Sequence, residues 1–425
     1  MNYEEALQYI HGISWEFCKP GLARISELCA ALGNPQDDLK FVHVAGTNGK
    51  GSFCSMLSSV LRTAGFSVGL YTSPYIVRFN ERMQMNGKPI EDALLAELTS
   101  EVKPIADKMT DKPTEFELIT AIAFLYFKRM GADIVVLEAG MGGRLDSTNV
   151  ISTPILSVIT GISKDHTAFL GDTVEKIAGE KAGIVKTGVP VLFGGTDKAC
   201  EEVIRAKARH MNSELLLVDY SSLKVKELDL CGTVFDYKES KGLKIKLLGA
   251  YQSRNASVVC EAVSALCRLG LRISDSALRS GILAAKWQAR FEIVRENPLV
   301  IFDGAHNPEG ISGAVESIRL YFNDKKVVAL SGVLSDKDYE FIADELSGVV
   351  SHAFTVTPDN KRALSAEKYA KVLNDRGCSA LPCDSIGEAV RLGMEKAREL
   401  CVPLVCLGSL YTYADVIKEI NNAVH

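Results

Sequence analysis

Gly46-Thr47-Asn48-Gly49-Lys50-Gly51-Ser52 is the stretch with the clearest chemical signal in the chain. It follows an apolar run at 41–44 and precedes a helical pattern over 53–63, the order strand, glycine loop, helix. Glycines let backbone N–H groups turn toward a triphosphate, the helix N-terminus adds positive potential, and Lys50 can reach the outer phosphates. Two departures from the standard phosphate loop matter. Val44 stands where the first glycine belongs, and Gly51 displaces the hydroxyl residue to Ser52, so a metal ion here needs ligands from elsewhere. The plain alternative is a tight turn with a solvated lysine. A nucleotide site is the better reading of three glycines, a lysine and a serine in this context.

Other candidates follow strands. Glu138 ends the run 134–137 and leads into Ala139-Gly140-Met141-Gly142-Gly143-Arg144. In open α/β sheets ligands gather at the carboxyl ends of strands, so this carboxylate is placed to hold magnesium. Ser73 follows a strand at 68–71 and His166 one ending at 160; both share Glu138's rim if the sheet is parallel. Magnesium prefers oxygen, which makes His166 an unusual ligand, and a lone serine or histidine is more often a turn or core residue. On residues alone both readings stay open. Gly140, Gly142 and Gly143 could pass for a dinucleotide motif, but 144–149 is too polar to open the packed helix that motif needs. Lys181, in Glu180-Lys181-Ala182-Gly183-Ile184, lies in a helical stretch with Asp172 as its expected N-cap, and by itself reads as a surface helix end. Asp303 and His306 lie three apart on a turn after 299–302, one able to orient and one to move a proton, against the alternative of a capped turn. Ser409, after 404–407, invites the same reading.

The elements that must position these groups are short apolar β-branched runs alternating with helical patterns, at 41–44, 134–137, 155–160, 189–193, 299–302, 327–330 and 404–407. Such runs predict an α/β fold with mostly parallel sheets covered on both faces. Residues 223–248 read as antiparallel hairpins at the edge of the first sheet, and a helix is expected over 252–269. The pattern restarts near Glu296-Asn297-Pro298, giving an ATPase domain at 1–296 and a smaller Rossmann-like domain at 297–425. With 425 residues, 47% hydrophobic and 24% charged, the chain can bury a sizeable core. Its net charge of -5 offers no global field for DNA or RNA. Eleven cysteines without a CxxC pair suit a reducing compartment. No signal-peptide core lies in the first ten residues and no run approaches the ~20 apolar residues of a membrane span, so a cytoplasmic location is expected.

Taken together and in order, the motifs resemble the Mur ligase superfamily, and within it the folylpolyglutamate synthase and dihydrofolate synthase family. The carrying residues are the glycine loop, Tyr71-Thr72-Ser73-Pro74, Phe79-Asn80-Glu81-Arg82, Gly142-Gly143-Arg144-Leu145-Asp146-Ser147-Thr148-Asn149, Glu180-Lys181-Ala182-Gly183-Ile184, Arg290-Phe291-Glu292, the turn from Asp303 to Pro308, and Gly408-Ser409-Leu410-Tyr411. The resemblance implies ATP bound by Gly46, Thr47, Asn48, Gly49, Lys50, Gly51 and Ser52, with Gln252 and Asn255 on the adenine side and Arg290 and Asp303 toward the phosphates. It implies Mg2+, as two ions held by Ser73, Glu138, His166 and a carbamylated Lys181. It implies Asp303, His306 and Ser409 on the glutamate side, with Lys50 and Lys181 in the catalytic set. Tyr75, Arg82, Thr114 and Phe116 match regions lining the family's folate cleft. Tyr251 stands where many relatives have histidine, and Ala289 where many have glycine.

The activity so implied is ATP-dependent addition of L-glutamate to a folate or to dihydropteroate by a monomeric enzyme, through an acyl phosphate. A cell-wall ligase would need an extra N-terminal domain, and the loop already begins at Gly46. A P-loop kinase or switch needs a hydroxyl directly after Lys50. A non-catalytic nucleotide-gated protein would have no use for so full a set of candidate ligands. Which acceptor is used stays open.

Overall fold

The structure, a computed structural model, describes residues 1–13, 21–152 and 154–422. The chain forms two compact units that interleave in sequence. The first comprises Met1–Lys224, Asp236–Leu243 and Arg254–Ala285, and the second Val225–Phe235, Lys244–Ser253 and Lys286–His425.

The first unit is built on eight strands: β1 (Phe41–Ala45), β2 (Val68–Tyr71), β3 (Met83–Met85), β4 (Lys88–Pro89), β5 (Ile134–Glu138), β6 (Leu156–Ile159), β7 (Val191–Phe193) and β8 (Leu215–Leu217). Their order is β4-β3-β2-β5-β1-β6-β7-β8. From β2 to β8 every pairing is parallel, and β3 and β4 fold back antiparallel at one edge. Strands β1 and β5 are buried along their whole length, as expected of runs covered on both faces. One face packs Phe41, Tyr71 and Leu137 against Ile119, Ile122 and Phe127 of the helix Glu115–Arg129. The other packs Ala45, Ile159 and Phe193 against Ala178, Cys200 and Ile204 of two further helices. The parallel arrangement brings the exits of β1, β2, β5 and β6 to one rim.

Residues 223–248 depart from expectation. They form β9 (Leu223–Asp229), β10 (Gly232–Tyr237) and β11 (Ser240–Ile245), a separate three-stranded sheet and not an edge of the first one. Two-residue links force antiparallel neighbours. The chain is turned out of the first sheet after β8 by a 3-10 turn at Tyr220–Ser222, held by Asp219 caps and by Tyr220 Oη donating to Gly194 O at 2.6 Å.

The second unit carries β12 (Glu292–Arg295), β13 (Val300–Phe302), β14 (Val327–Ser331), β15 (Val350–Thr355), β16 (Ser379–Pro382) and β17 (Leu404–Leu407), in the order β12-β13-β17-β14-β15-β16. All pairings are parallel except β12 with β13, and the expected break at 296/297 falls in the turn between those two. Strands β15 and β16 escaped the sequence reading because Ser351 and His352 interrupt one and the other is a largely exposed edge. Among the described residues the ten cysteines are free, and no helix is long and apolar enough to cross a membrane.

Candidate active site

The glycine loop leaves β1 at Ala45 and turns at Gly49, whose φ of 82° suits glycine, into a helix Lys50–Thr63 that starts three residues earlier than expected. A Cβ at Gly49 would lie 2.6 Å from Asn255 Oδ1, so the loop and Asn255 touch. The first-turn amides of Lys50, Gly51 and Ser52 cannot reach an intrahelical carbonyl, the condition for anion binding at a helix start. Lys50 Nζ donates to Gly46 O and Thr47 O at 3.1 Å each and lies 4.0 Å from Glu138 Oε1. Lys181 Nζ donates to the same Gly46 O at 2.7 Å.

Lys181 is therefore no surface helix end: it is 3% exposed. Burial, then the charge of Lys50, pushes its pKa down to about 7. Backbone packing puts it there. A Cβ on Gly143 would fall 2.8 Å from Lys181 O, and one on Gly183 2.4 Å from Arg144 Cα, so only glycines allow these chains to meet. Arg144 N donates to Glu180 O at 2.8 Å and Asn149 Nδ2 to Gly183 O at 3.2 Å. The N-cap of this helix is Thr173, accepting from Lys176 N, and not Asp172, which pairs with Lys176 Nζ at 2.8 Å instead.

Glu138, 4% exposed, ends β5 with its Oε2 3.4 Å from Ser73 N on the exit of neighbouring β2. His166 is exposed and left-handed at φ 50°, heading the short helix Thr167–Leu170 after β6. Thr47 spends its donors inward: its N–H bonds Gly161 O at 2.8 Å and its Oγ1 bonds Ser163 O at 3.1 Å. On the acceptor side, the Arg82 guanidinium lies 5.0 Å from the Tyr75 ring centre and 5.6 Å from that of Phe79. Phe116 abuts Gly140, where a Cβ would lie 2.7 Å from its ring, just beyond Glu138. Thr114 serves as the N-cap of the helix Glu115–Arg129, in a capping box with Glu117.

In the second unit Asp303 is buried and fully used. Its Oδ2 accepts from Tyr251 Oη at 2.7 Å and Phe291 N at 2.9 Å, and its Oδ1 from Ala305 N at 2.8 Å. Burial raises its pKa, while Arg290 and these hydrogen bonds pull it back. Arg290 lies beside Gly304, where a Cβ would sit 2.7 Å from its Nη1. His306 Nδ1 lies 2.8 Å from Gly304 O, and a carbonyl can only accept, so Nδ1 carries the proton and Nε2 is the basic nitrogen. Ser409 is 2% exposed and caps the 3-10 turn Leu410–Thr412 by accepting from Tyr411 N. Gln252 is buried at the start of the helix Gln252–Arg268.

Comparison with known proteins decides the family. Residues 44–263 match the Mur ligase middle domain and 289–407 the Mur ligase glutamate ligase domain. The chain is 38% identical over 431 residues to the dihydrofolate synthase/folylpolyglutamate synthase of Bacillus subtilis (strain 168), covering 98% of this chain and 99% of that one. The chain belongs to the folylpolyglutamate synthase/dihydrofolate synthase family. The folylpolyglutamate synthase of Lacticaseibacillus casei is 37% identical, with 97% of each covered. A folylpolyglutamate synthase solved with AMPPCP and folate superposes with a TM-score of 0.87 at 34% identity, over 99% of this chain and 100% of that one.

Within this family reading, two groups went unassigned from sequence. Asp146, buried, accepts from Met141 N at 2.8 Å and from Thr148 Oγ1 at 2.5 Å, pinning the loop that follows Glu138. Its signal was an aspartate two residues before a threonine in a turn. Lys337, half-buried, lies on the loop after β14, on the rim shared by the exits of β13 and β17. Its signal was another strand followed by glycine and polar residues. Among the described residues no three His, Cys, Asp or Glu side chains cluster as a metal site. The chemistry of the donors fits magnesium nonetheless: Ser73 N donates to Glu138 Oε2 across adjacent strand ends, so a carboxylate and a serine that also carries a hydroxyl share one rim.

Proposed function

We infer that this chain is an ATP-dependent amide ligase that adds L-glutamate to the γ-carboxylate of a folate. The observation that carries this reading is the convergence of Lys50 and Lys181 on Gly46 O, opposite Glu138, at the start of a helix. The Lys50 cation and a helix N-terminus gathered there suit a polyphosphate, and Lys181 beside them, its ammonium disfavoured by burial, is an amine placed for carbamylation.

In the reaction, an oxygen of the acceptor carboxylate attacks the γ-phosphorus of ATP and the bond to ADP breaks. The amine of glutamate then attacks the acyl carbon and phosphate leaves. Most of the rate comes from positioning and charge neutralisation. Lys50 and the amides of residues 48–52 hold the phosphates, with Asn255 on the adenine side. Arg82, between Tyr75 and Phe79, faces the acceptor. Ser73, Glu138, His166 and carbamylated Lys181 would hold magnesium, which neutralises phosphate charge. With a pKa near 7, Lys181 supplies free amine at neutral pH, and that amine adds to carbon dioxide with loss of a proton. His306 Nε2 takes a proton from the ammonium of glutamate, and Asp303 holds the turn that presents it. Free cysteines among the described residues suit a reducing, cytoplasmic compartment.

The test is ADP release by purified protein with MgATP and glutamate, with dihydropteroate and a tetrahydrofolate as parallel acceptors and mass spectrometry of the products. Glutamate-dependent ADP with a product one glutamyl unit heavier is expected with tetrahydrofolate. Silence with both acceptors would contradict the reading. Activity with both would make the enzyme bifunctional.

A further inference from the structure

We propose that Thr160, at the exit of β6, is the positioning residue that sets the phosphate loop for nucleotide; the proposal rests on the nucleotide reading above. Strands β1 and β6 are neighbours, so the loop after one runs beside the loop after the other. Thr160 Oγ1, on a side chain 7% exposed, donates to Asn48 O at 2.7 Å, and Thr160 N donates to Ala45 O at 3.0 Å. Just beyond, Thr47 Oγ1 donates to Ser163 O and accepts from Ser163 N, and Thr47 N donates to Gly161 O. The phosphate loop is thus clamped to residues 160–163 along its length.

Peptide planarity gives this clamp a direction. In a trans peptide the C=O and the following N–H point opposite ways. Drawing Asn48 O toward Thr160 therefore turns the Gly49 N–H away from β6. The neighbouring plane obeys the same rule: Gly46 O faces Lys50 and Lys181, while Thr47 N–H faces Gly161. Without its hydroxyl, residue 160 would no longer draw Asn48 O toward β6, and that carbonyl would turn nearer the space a phosphate needs, where it repels an anion. Gly46 records the same closeness, since a Cβ there would lie 2.0 Å from Thr160 Oγ1.

Thr160→Val keeps the shape and removes only the donor; Thr160→Ser keeps the donor and removes a methyl. Binding of MgATP is measured by calorimetry for both variants and the parent, alongside KM for ATP and glutamate. Thr160→Val is expected to weaken MgATP about tenfold, a loss typical of one buried hydrogen bond. Its KM for glutamate should stay within about twofold and Thr160→Ser should bind like the parent. Equal MgATP affinity in Thr160→Val and the parent would overturn the proposal, as would an equal loss in Thr160→Ser. A parent protein that does not bind MgATP would instead overturn the nucleotide reading beneath it.

Discussion

Lys50 and Lys181 donate to one carbonyl oxygen, that of Gly46, at 3.1 and 2.7 Å. Two ammonium groups on a single acceptor is a costly arrangement, and burial together with Lys50 lowers the pKa of Lys181 to about 7. Against the ordinary lysine value this is a penalty of up to roughly 5 kcal/mol near neutrality. Lys181→Met, which removes the charge and keeps the stem, should raise the melting temperature by about 3 °C or more in bicarbonate-free buffer. It should also cut turnover at least about a thousandfold, since each 1.4 kcal/mol of lost transition-state stabilisation is tenfold. Calorimetry and steady-state kinetics on one preparation check both. Full activity would remove Lys181 from the mechanism.

His43 gives a pH signature independent of the substrate. It is fully buried on β1, with Nε2 2.8 Å from Thr148 Oγ1. Burial, then Lys186, pushes its pKa down to about 3. Below about pH 6.5 the unfolded chain takes up a proton that the folded chain refuses, so this residue makes stability fall as pH drops toward 3. By pH 4.5 the loss is about 3 kcal/mol. His43→Gln should therefore lose less melting temperature between pH 7 and 4.5 than the parent, by roughly 3 °C. Parallel curves for the two proteins would contradict it.

Asp303 supports the fold of its turn by accepting from Tyr251, Phe291 and Ala305. Asp303→Asn would point an NH2 group at a backbone donor and should cost about 2 kcal/mol in denaturant unfolding, with turnover reduced as well. Tyr251→Phe removes one bond and leaves the carboxylate two, so it should cost about 1 kcal/mol and keep turnover within about threefold. A Tyr251→Phe variant as damaged as Asp303→Asn would show that the ring hydroxyl does more than brace the carboxylate.

Ala289 holds a left-handed backbone, φ 54°, a conformation that favours glycine. Non-glycine residues there cost about 1–2 kcal/mol, partly offset by the greater chain entropy of glycine. Ala289→Gly is expected to stabilise the protein by about 0.5–1 kcal/mol, measured as a rise in the denaturant midpoint at unchanged slope. A lower midpoint would mean the strain is relieved elsewhere.

The loop around Lys50 was legible because phosphate binding needs glycines, a lysine and a helix start that are contiguous in sequence. Glu138 and the parallel sheet were legible for the related reason that apolar runs and the polar residues ending them are local. Lys181 looked like a surface residue, since its burial depends on Gly143 and Gly183 bringing two distant loops together. Thr160 was invisible because its partner, Asn48, is 112 residues away and is reached only through the pairing of β1 with β6. The hairpins 223–248 were misplaced at a sheet edge because alternation marks a strand without naming its sheet. Asp172 and Thr173 are both good caps, and only the geometry of the turn separates them.

Oxygen transfer tests the acyl phosphate most directly. A tetrahydrofolate whose γ-carboxylate carries oxygen-18 in both positions is incubated with the enzyme, MgATP and glutamate, and the released phosphate is examined by mass spectrometry. Attack of the carboxylate on the γ-phosphorus predicts one labelled oxygen in each phosphate and one left in the new amide. Unlabelled phosphate, formed while glutamate is joined, would contradict it.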